Sequence, residues 1–339
     1  MHDLFRQVIK LAEINISSNM KKIALIAILF LSLFINWANA QTANIDQLFN
    51  KKFKGSLISS DDNFPDFPIR KDSMNWLLTS LHKNIAISEF KSKTKFSDTK
   101  LDSIIHFLEG KNFIHSVENK YKPTVFIADA ENGIALYQYA LPISKEIVEA
   151  VKESLPSIKG KFAKSDIAKT QSFEDWSFYI LSDVLMDNRQ IKNVEREFLK
   201  TTSRPQRNGK YYYLSWMEAN DKNEPFGIYG NQRGNIGLYG NNRIGLNVTS
   251  TTNKISNSDG VIFDKIAQDF LPHLLKVLED RRGYAEKIYK EMGYSKEITF
   301  DEFFIWWYHF IYTKATNLMA EENMLKVPVG GNFSYQEEN

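Results

Sequence analysis

Residues 299–313, TFDEFFIWWYHFIYT, are the stretch of sequence that decides the fold. Thr299 and Glu302 match the Thr-x-x-Glu pattern of a capping box, which predicts a helix that begins directly before Phe303. From Phe303 to Thr313 this helix is apolar on almost every side. In a protein that folds in water, such a helix is buried at the centre of the structure. The sequence therefore predicts that the other elements pack around it.

A few polar side chains interrupt the apolar surface of this helix. At about 100° per residue they share one face: Glu302, His309, Thr313 and Thr316. Because a buried polar group without a partner costs about 1–3 kcal/mol, these side chains need partners. One hypothesis is a ligand cavity lined by His309, Thr313, Trp306 and Tyr312. The other, which we favour, is that His309 bonds a neighbouring carbonyl or carboxylate and that the aromatic residues are core.

Residues 210–249 form the clearest β region, because 210–218 is rich in aromatic residues and a near-repeat follows. The pattern (Ile/Leu)-Tyr-Gly-Asn-x-Arg occurs at 228–233 and again at 238–243. This ten-residue spacing predicts an antiparallel meander with the Asn-x-Arg segments at its turns. Six residues are candidates for glycan binding there: Tyr229, Asn231, Arg233, Tyr239, Asn241 and Arg243. The alternative, which we favour, is that the glycines and asparagines serve tight turns and the tyrosines pack across strands.

Residues 20–40, MKKIALIAILFLSLFINWANA, predict where the protein goes. Two lysines precede an apolar run from Ile23 to Phe34, and Ala38-Asn39-Ala40 is a small-residue cleavage pattern. The run is shorter than the roughly 20 apolar residues that cross a bilayer. We therefore expect residues 1–40 to be a signal peptide and the protein to be exported to the periplasm or exterior of a Gram-negative-like bacterium, without a transmembrane segment in the mature chain.

Met20 resembles a natural start, which predicts that residues 1–19 come from an over-extended reading frame. The alternative is a long N-terminal region that tethers the protein to the membrane. Without residues 1–40, the totals of 43 basic and 41 acidic residues fall to 39 of each sign. This balance does not favour a polyanionic partner. The chain has no cysteine, so neither a disulfide nor lipidation of an N-terminal cysteine is available.

Residues 70–128 contain helices followed by two short strands. Helical spacing and the Ser97 cap predict helices at 76–85 and 97–110. Runs of strand-forming residues around a polar turn predict strands at 112–116 and 121–127. In element order this segment resembles a winged-helix module, although no diagnostic motif accompanies the order. Seven lysines make it locally basic: Lys91, Lys93, Lys95, Lys100, Lys111, Lys120 and Lys122. Because the protein is predicted to be exported, we expect no nucleic-acid partner.

Four further elements are predicted from local signals. They are a strand at 134–139 after the Asn132-Gly133 turn, a short helix from Ser144 that ends before Pro156, a helix at 172–186, and a helix at 261–282 that Pro272 kinks or divides. With these elements, the predicted fold is α+β and helix-dominated. It has a winged-helix-like N-terminal part and an antiparallel β-meander packed on C-terminal helices.

Composition shifts and a break at Arg204-Pro-Gln-Arg-Asn-Gly209 predict the domain organisation. An irregular lead-in at 41–68 follows the signal peptide. A helical, winged-helix-like domain covers 69–205, and the β-meander with the C-terminal helices covers 206–339.

The common short motifs of metallopeptidases, esterases and nucleotide-binding proteins are absent from the sequence. We expect no cofactor and no metal. Asp183 and Asp187 lie one helical turn apart, and carboxylates held about 5–10 Å apart can hydrolyse glycosides. Such pairs are nevertheless common on solvated helix faces, and we favour that interpretation.

The sequence thus favours an exported, non-catalytic binding or interaction protein of the cell envelope. Its expected partners are a glycan, a small ligand or an envelope protein. The alternative is an envelope hydrolase of glycan or peptide, with His309, Glu302 or Asp183 as acid or base. A solvent-open cleft in which His309 meets a carboxylate would favour the hydrolase, whereas a sealed histidine would not.

Overall fold

A computed structural model describes residues 45–59, 63–219, 228–233, 235–241 and 251–338. The predicted signal peptide and Arg243 lie outside the described residues. The fold is α+β and helix-dominated, as predicted, with small sheets packed against the C-terminal helices.

The N-terminal part has an element order like that of a winged helix, but its first strand pairs with a strand far along the chain and not with the hairpin that its second and third strands form. Its elements are α1 (Ile45–Phe49), β1 (Phe53–Ile58), α2 (Met74–His82), α3 (Ile87–Thr94), α4 (Asp98–Gly110), β2 (Ile114–Val117), β3 (Lys120–Pro123) and β4 (Phe126–Ala128). As expected, Ser97 caps α4 by accepting a hydrogen bond from the Lys100 backbone N–H. The prediction of an irregular lead-in was wrong for α1 and β1, since tertiary pairing with a distant strand stabilises β1.

The middle of the chain is helical. It contains α5 (Ala130–Tyr139), α6 (Leu141–Phe162), α7 (Phe173–Phe178), which continues as a π-helix (Tyr179–Val184), and α8 (Ile191–Asn193), which continues as a second π-helix (Val194–Leu199). The predicted strand at 134–139 was wrong. Asp129 caps α5 by accepting a hydrogen bond from the Asn132 N–H, so Asn132 and Gly133 lie in a first helical turn.

The C-terminal part contains the remaining strands and helices. They are β5 (Gln206–Arg207), β6 (Lys210–Tyr211), β7 (Tyr213–Glu218), β8 (Ile228–Arg233), β9 (Ile236–Asn241), β10 (Lys254–Ile255), α9 (Asn257–Asp280), α10 (Arg282–Glu291), α11 (Phe300–Glu321) and β11 (Asn332–Glu337). Helix α6 continues through Pro156, before which the sequence predicted its end, and α9 continues through Pro272, so of the two predicted alternatives the division of this helix was wrong. Each helix buries apolar residues on both sides of its proline, and this packing holds it together.

Two separate sheets contain the strands that were expected in one meander. β8 and β9 form an antiparallel hairpin, and β11 pairs with β9. β7 instead lies between β1 and β4, antiparallel to the first and parallel to the second. The hairpin turn falls between Arg233 and Ile236, so Asn231 and Arg233 lie within β8 rather than at a turn. The repeat therefore marks the strands, not their tips.

Helix α11 lies in the larger of two apolar cores, as its sequence predicted. Every residue from Glu302 to Tyr308 is buried. Polar atoms tie the helix to its neighbours, because Trp307 Nε1 donates to Leu136 O at 2.9 Å and Ser144 Oγ donates to Ile311 O at 2.8 Å. The smaller core lies under α2–α4. Among the described residues, no helix is both long enough and apolar enough to span a membrane.

Candidate functional site

Glu302, the first residue of the predicted polar stripe, is part of a buried ion pair. Thr299 Oγ1 accepts a hydrogen bond from the Glu302 N–H at 3.2 Å, which confirms Thr299 as the N-cap of α11. The Glu302 carboxylate does not return to the cap. It accepts from Arg207 Nη2 at 2.6 Å and from the Leu214 N–H at 3.2 Å. Burial raises the pKa of Glu302, and the Arg207 guanidinium opposes that rise. Glu302 thus anchors α11 to β5 and β7.

His309 is held inside its own helix. Its Nδ1–H donates to the carbonyl of Ile305 at 2.7 Å, since a carbonyl can only accept. The ring packs between Trp306 and Tyr312, at 5.3 and 5.2 Å between ring centroids. Burial lowers the pKa of His309, and the nearby Asp187 carboxylate opposes this effect. These contacts support the structural interpretation of the histidine and of its aromatic neighbours.

Thr313 and Thr316 are buried on the same helix as His309. Thr316 Oγ1 donates to Tyr312 O at 2.8 Å and is hydrogen-bonded to Ser182 Oγ at 2.5 Å. Thr316 is therefore satisfied by its own helix and by Ser182 in the π-helix that continues α7.

Asp183 and Asp187, which we call the acidic centre, are buried rather than on a solvated face. Asp183 is 0% exposed, and neither of its carboxylate oxygens forms a hydrogen bond of normal geometry among the described residues, although the Asn188 backbone N–H and the Arg189 guanidinium lie close enough to oppose the rise in its pKa. Asp187 Oδ2 accepts from the Tyr312 hydroxyl at 2.8 Å and from the Gly230 N–H at 3.3 Å. Burial raises the pKa of both carboxyls; that of Asp183 lies well above its ordinary value, and the Asp187 charge adds to the rise.

Asp183 lies in the π-helix, every residue of which is buried. At 100° per residue Asp183 and Asp187 both fall about 20° from Trp176, so a regular helix would already bring them to the apolar face. The interpretation of the pair as a solvated face was therefore wrong. π-helical turns often occur at functional sites.

The near-repeat contributes packing groups to the same region. Tyr239 is buried, and its hydroxyl is hydrogen-bonded to Ser182 Oγ at 2.5 Å. It is therefore not displayed at a hairpin tip, and its burial agrees with the favoured alternative that the tyrosines of the repeat are packing residues. Gly237 lies opposite Tyr335, and a Cβ there would overlap the tyrosine ring. Only the backbone positions of four other candidates are described, in β8 or β9: Tyr229, Asn231, Arg233 and Asn241.

A cleft of about 500 Å³ with a mixed polar and apolar lining lies beside the β2–β3 hairpin, which we call the wing. We call this cleft the wing cleft. Its lining includes Asn112, His115, Gln206, Arg207, Tyr289 and Ser295. Arg207 is 2% exposed and donates to Glu302 and to Tyr212 O, but its Nε has no hydrogen-bond partner in the described part of the chain.

The wing is docked on the C-terminal part of the molecule. The His115 ring N–H donates to Lys296 O at 3.0 Å. Glu297, which is buried, accepts from His82 Nδ1 at 2.7 Å and lies 3.4 Å from Lys122 Nζ. The wing cleft therefore lies at a junction between the winged-helix part and the C-terminal helices.

Acidic partners neutralise much of the expected basic surface. Five of the seven lysines form ion pairs: Lys91–Asp98, Lys93–Asp46, Lys100–Asp72, Lys111–Asp66 and Lys122–Glu297. Helix α4, in the position that would read DNA in a winged helix, carries three acidic residues and one lysine. This surface lacks the concentrated positive charge of a nucleic-acid site.

A larger cleft of about 770 Å³ lies between the end of α6 and the start of α7. Its internal polar groups are already used by the fold. Ser177 Oγ donates to Glu174 O and accepts from the Lys326 N–H, and Gln171 Oε1 accepts from Trp176 Nε1. Within the described ranges, no group of three or more His, Cys, Asp or Glu side chains is arranged to hold a metal ion.

Comparison of the chain with protein-family models, curated proteins and solved structures found no match.

Proposed function

We propose that this protein is an exported, non-catalytic binding protein of the cell envelope, and that it binds a small, hydroxyl-rich ligand such as a sugar unit in the wing cleft. The observation that supports the proposal is the wing cleft itself, a cavity of about 500 Å³ whose lining includes the exposed polar side chains of Gln206 and Ser295. Their amide and hydroxyl groups can exchange hydrogen bonds with the hydroxyls of a ligand.

The size and lining of the wing cleft support this ligand class. A volume of about 500 Å³ is within the range of small-molecule sites, and such sites are common at junctions between packing units. Amide, imidazole and hydroxyl groups can exchange hydrogen bonds with sugar hydroxyls, and Tyr289 offers an aromatic ring. The Arg207 charge is balanced by Glu302, so a neutral ligand fits better than an anion.

The contacts of the predicted acid–base residues support a binding protein over the hydrolase alternative. His309 bonds the Ile305 carbonyl, and Glu302 is held by Arg207. Neither contact places a free acid beside a free base in an open cleft, which a hydrolase would need.

The proposal is tested by titrating the purified chain with soluble oligosaccharides of glucose, galactose and N-acetylglucosamine, monitored by isothermal titration calorimetry. We expect saturable binding of at least one of them. Gln206→Ala and Ser295→Ala, which remove exposed groups that line the wing cleft, should weaken that binding at least fivefold.

The matched control is Gln268→Ala, which removes the same side chain from an exposed position on α9. It should bind as the unmodified chain does. Absence of binding to every oligosaccharide, or equal affinity in all four proteins, would overturn the proposal.

A further inference from the structure

The described side chains do not fully neutralise the negative charge of the acidic centre. We propose that it binds a hard metal cation through oxygen atoms: the carboxylates of Asp183 and Asp187 and the hydroxyls of Tyr179 and Tyr308. This site is distinct from the wing cleft, and the proposal does not depend on the function proposed there.

The first argument is that polar atoms remain unpartnered in a fully buried region. The Asp183 oxygens and the hydroxyls of Tyr179 and Tyr308 form no hydrogen bond of normal geometry among the described residues, and all three residues are 0% exposed. The Asn188 backbone N–H lies close enough to Asp183 to oppose the rise in its pKa, but it does not complete the carboxylate. Native proteins rarely leave such groups unsatisfied, and each exception calls for an explanation such as an ion. A cation beside Asp183 would supply a partner to its carboxylate.

The second argument is that the two carboxylates converge on one point of β8. Asp187 Oδ2 lies 3.3 Å from the Gly230 backbone nitrogen, and Asp183 Oδ1 lies 3.9 Å from the position that a Cβ on Gly230 would occupy. The absence of a side chain at Gly230 leaves both carboxylates close to the strand. Two converging carboxylates favour a cation over a neutral or anionic occupant.

The third argument is that the cationic side chains described near the pair neutralise it only in part. The Arg189 guanidinium acts on Asp183 but is also paired with Asp264 and Glu337. His309 is half-buried, bonds a carbonyl and acts on Asp187, and burial lowers its pKa, which favours the neutral ring. Within the described residues, the negative charge of the acidic centre is therefore only partly balanced when both carboxyls are ionised.

The donor atoms and the burial define the class of ion. All of the donors are carboxylate or hydroxyl oxygens, which suit Ca²⁺, Mg²⁺ or Na⁺ and not soft metals. The full burial of the lining leaves no access for an organic cation. Two carboxylates balance a divalent charge, so Ca²⁺ is the favoured occupant, and its flexible coordination tolerates an irregular set of oxygens.

The experiment uses the purified chain after treatment with EDTA and dialysis into a potassium buffer. Thermal unfolding is followed with CaCl₂, MgCl₂ or NaCl at ionic strength matched with KCl. We expect Ca²⁺ to raise the unfolding temperature in a saturable way. Asp183→Asn, which keeps the shape and removes the charge, should weaken the apparent affinity at least tenfold, and Tyr308→Phe should weaken it severalfold.

Asp280→Asn is the control, because it removes one exposed carboxylate distant from the acidic centre. It should respond to Ca²⁺ as the unmodified chain does. Proton release on Ca²⁺ addition in weak buffer is a second readout, because carboxyls with a raised pKa must lose protons to bind a metal.

A saturable response to Na⁺ that Asp183→Asn abolishes would also support a hard cation of lower charge. Absence of a response to all three cations, without proton release, would overturn the proposal. An equal response in the unmodified chain and in Asp183→Asn would overturn it as well, because the ion would then bind elsewhere. If Asp183→Asn does not fold, Tyr308→Phe and proton release decide the question.

Discussion

At the scale of single residues, Arg207 is the side chain whose loss should cost most. It is 2% exposed and donates to Glu302, Tyr212 O and Thr124 O. Arg207→Met would leave the Glu302 carboxylate buried without its charge partner, which costs about 3–5 kcal/mol. We expect a loss of that size in the free energy of unfolding, measured by urea denaturation. The double variant Arg207→Met/Glu302→Gln should recover part of it, because the remaining partner is neutral.

The comparison for Arg207 is the exposed ion pair Lys276–Asp280, in which both side chains are largely in solvent. Lys276→Met should change the free energy of unfolding by less than about 1 kcal/mol. Similar losses in both single variants would contradict the structural role of the buried pair.

Asp183 should make stability depend on pH when no cation is bound. Burial raises its pKa well above 3.8, so the folded state holds the proton to a higher pH than the unfolded state does. The protonated Asp183 makes its full contribution to the free energy of unfolding below about pH 4. This contribution is lost as pH rises through the pKa of Asp183 in the folded state. In EDTA and potassium buffer, we expect the midpoint of urea denaturation to fall between about pH 4 and pH 8. Asp183→Asn, which never ionises, should flatten this decline.

A midpoint of urea denaturation that rises with pH would contradict this prediction. If the midpoint rose with pH to the same extent in the unmodified chain and in Asp183→Asn, other groups would dominate. The inference that Asp183 is buried in its neutral form would then be wrong.

At the scale of elements, local sequence signals predicted those parts of the fold that local contacts stabilise. Ser97 and Thr299 are caps with the expected hydrogen bonds, and the helices after them were predicted correctly. Asn132-Gly133 was misread as a hairpin turn, because Asp, Asn and Gly occur both in tight turns and at the start of a helix such as the one that Asp129 caps. β1 could not be recognised, since its partner β7 lies about 160 residues later in the chain.

The candidate sites were harder to predict from the sequence than the fold was. Glu302 and His309 were correctly placed on one helix, but the partner of Glu302 is Arg207, which lies in a segment that looks like an exposed break. Asp183 was recognised only as half of an acidic pair. Its helical spacing from Trp176 already indicates the apolar face, whereas the position of β8 over it has no signature in the residue pattern.

The packing of β9 against β11 depends on one glycine. Gly237 lies opposite Tyr335, and a Cβ at this position would overlap the aromatic ring. Gly237→Ala should lower the free energy of unfolding by about 1–3 kcal/mol, because a packed core resists added volume. Urea denaturation measures this loss, and adding Tyr335→Ala should make the two effects clearly non-additive.

The control for Gly237 is Gly160→Ala on α6, where a Cβ would meet nothing within 4 Å. That change should raise stability by up to about 1 kcal/mol through helix propensity. If Gly237→Ala were equally well tolerated, the close contact with Tyr335 would not exist.

At the scale of the whole molecule, the winged-helix part is packed against the C-terminal part of the chain. Its wing is held by Glu297, and five of its seven lysines pair with acidic side chains. The basic run in the sequence is therefore largely balanced in the folded chain.

β7 joins the two halves that composition predicted as separate domains. It is the central strand between β1 and β4, and its side chains enter both apolar cores: Tyr213 lies in the larger core, and Trp216 in the smaller one. A fragment of residues 45–205 keeps β1 and β4 but lacks the strand that pairs with both. We expect it to be largely unfolded by far-UV circular dichroism and by the dispersion of its NMR spectrum.

The companion fragment, residues 206–338, should restore the structure when the two pieces are expressed together, because every pairing partner is then present. The cut at 205 falls in the predicted break, so neither piece loses part of a helix or strand. A fragment 45–205 that folded alone, with a cooperative thermal transition, would show that the smaller core is independent of β7. The chain would then consist of two domains in the thermodynamic sense, as its composition predicts.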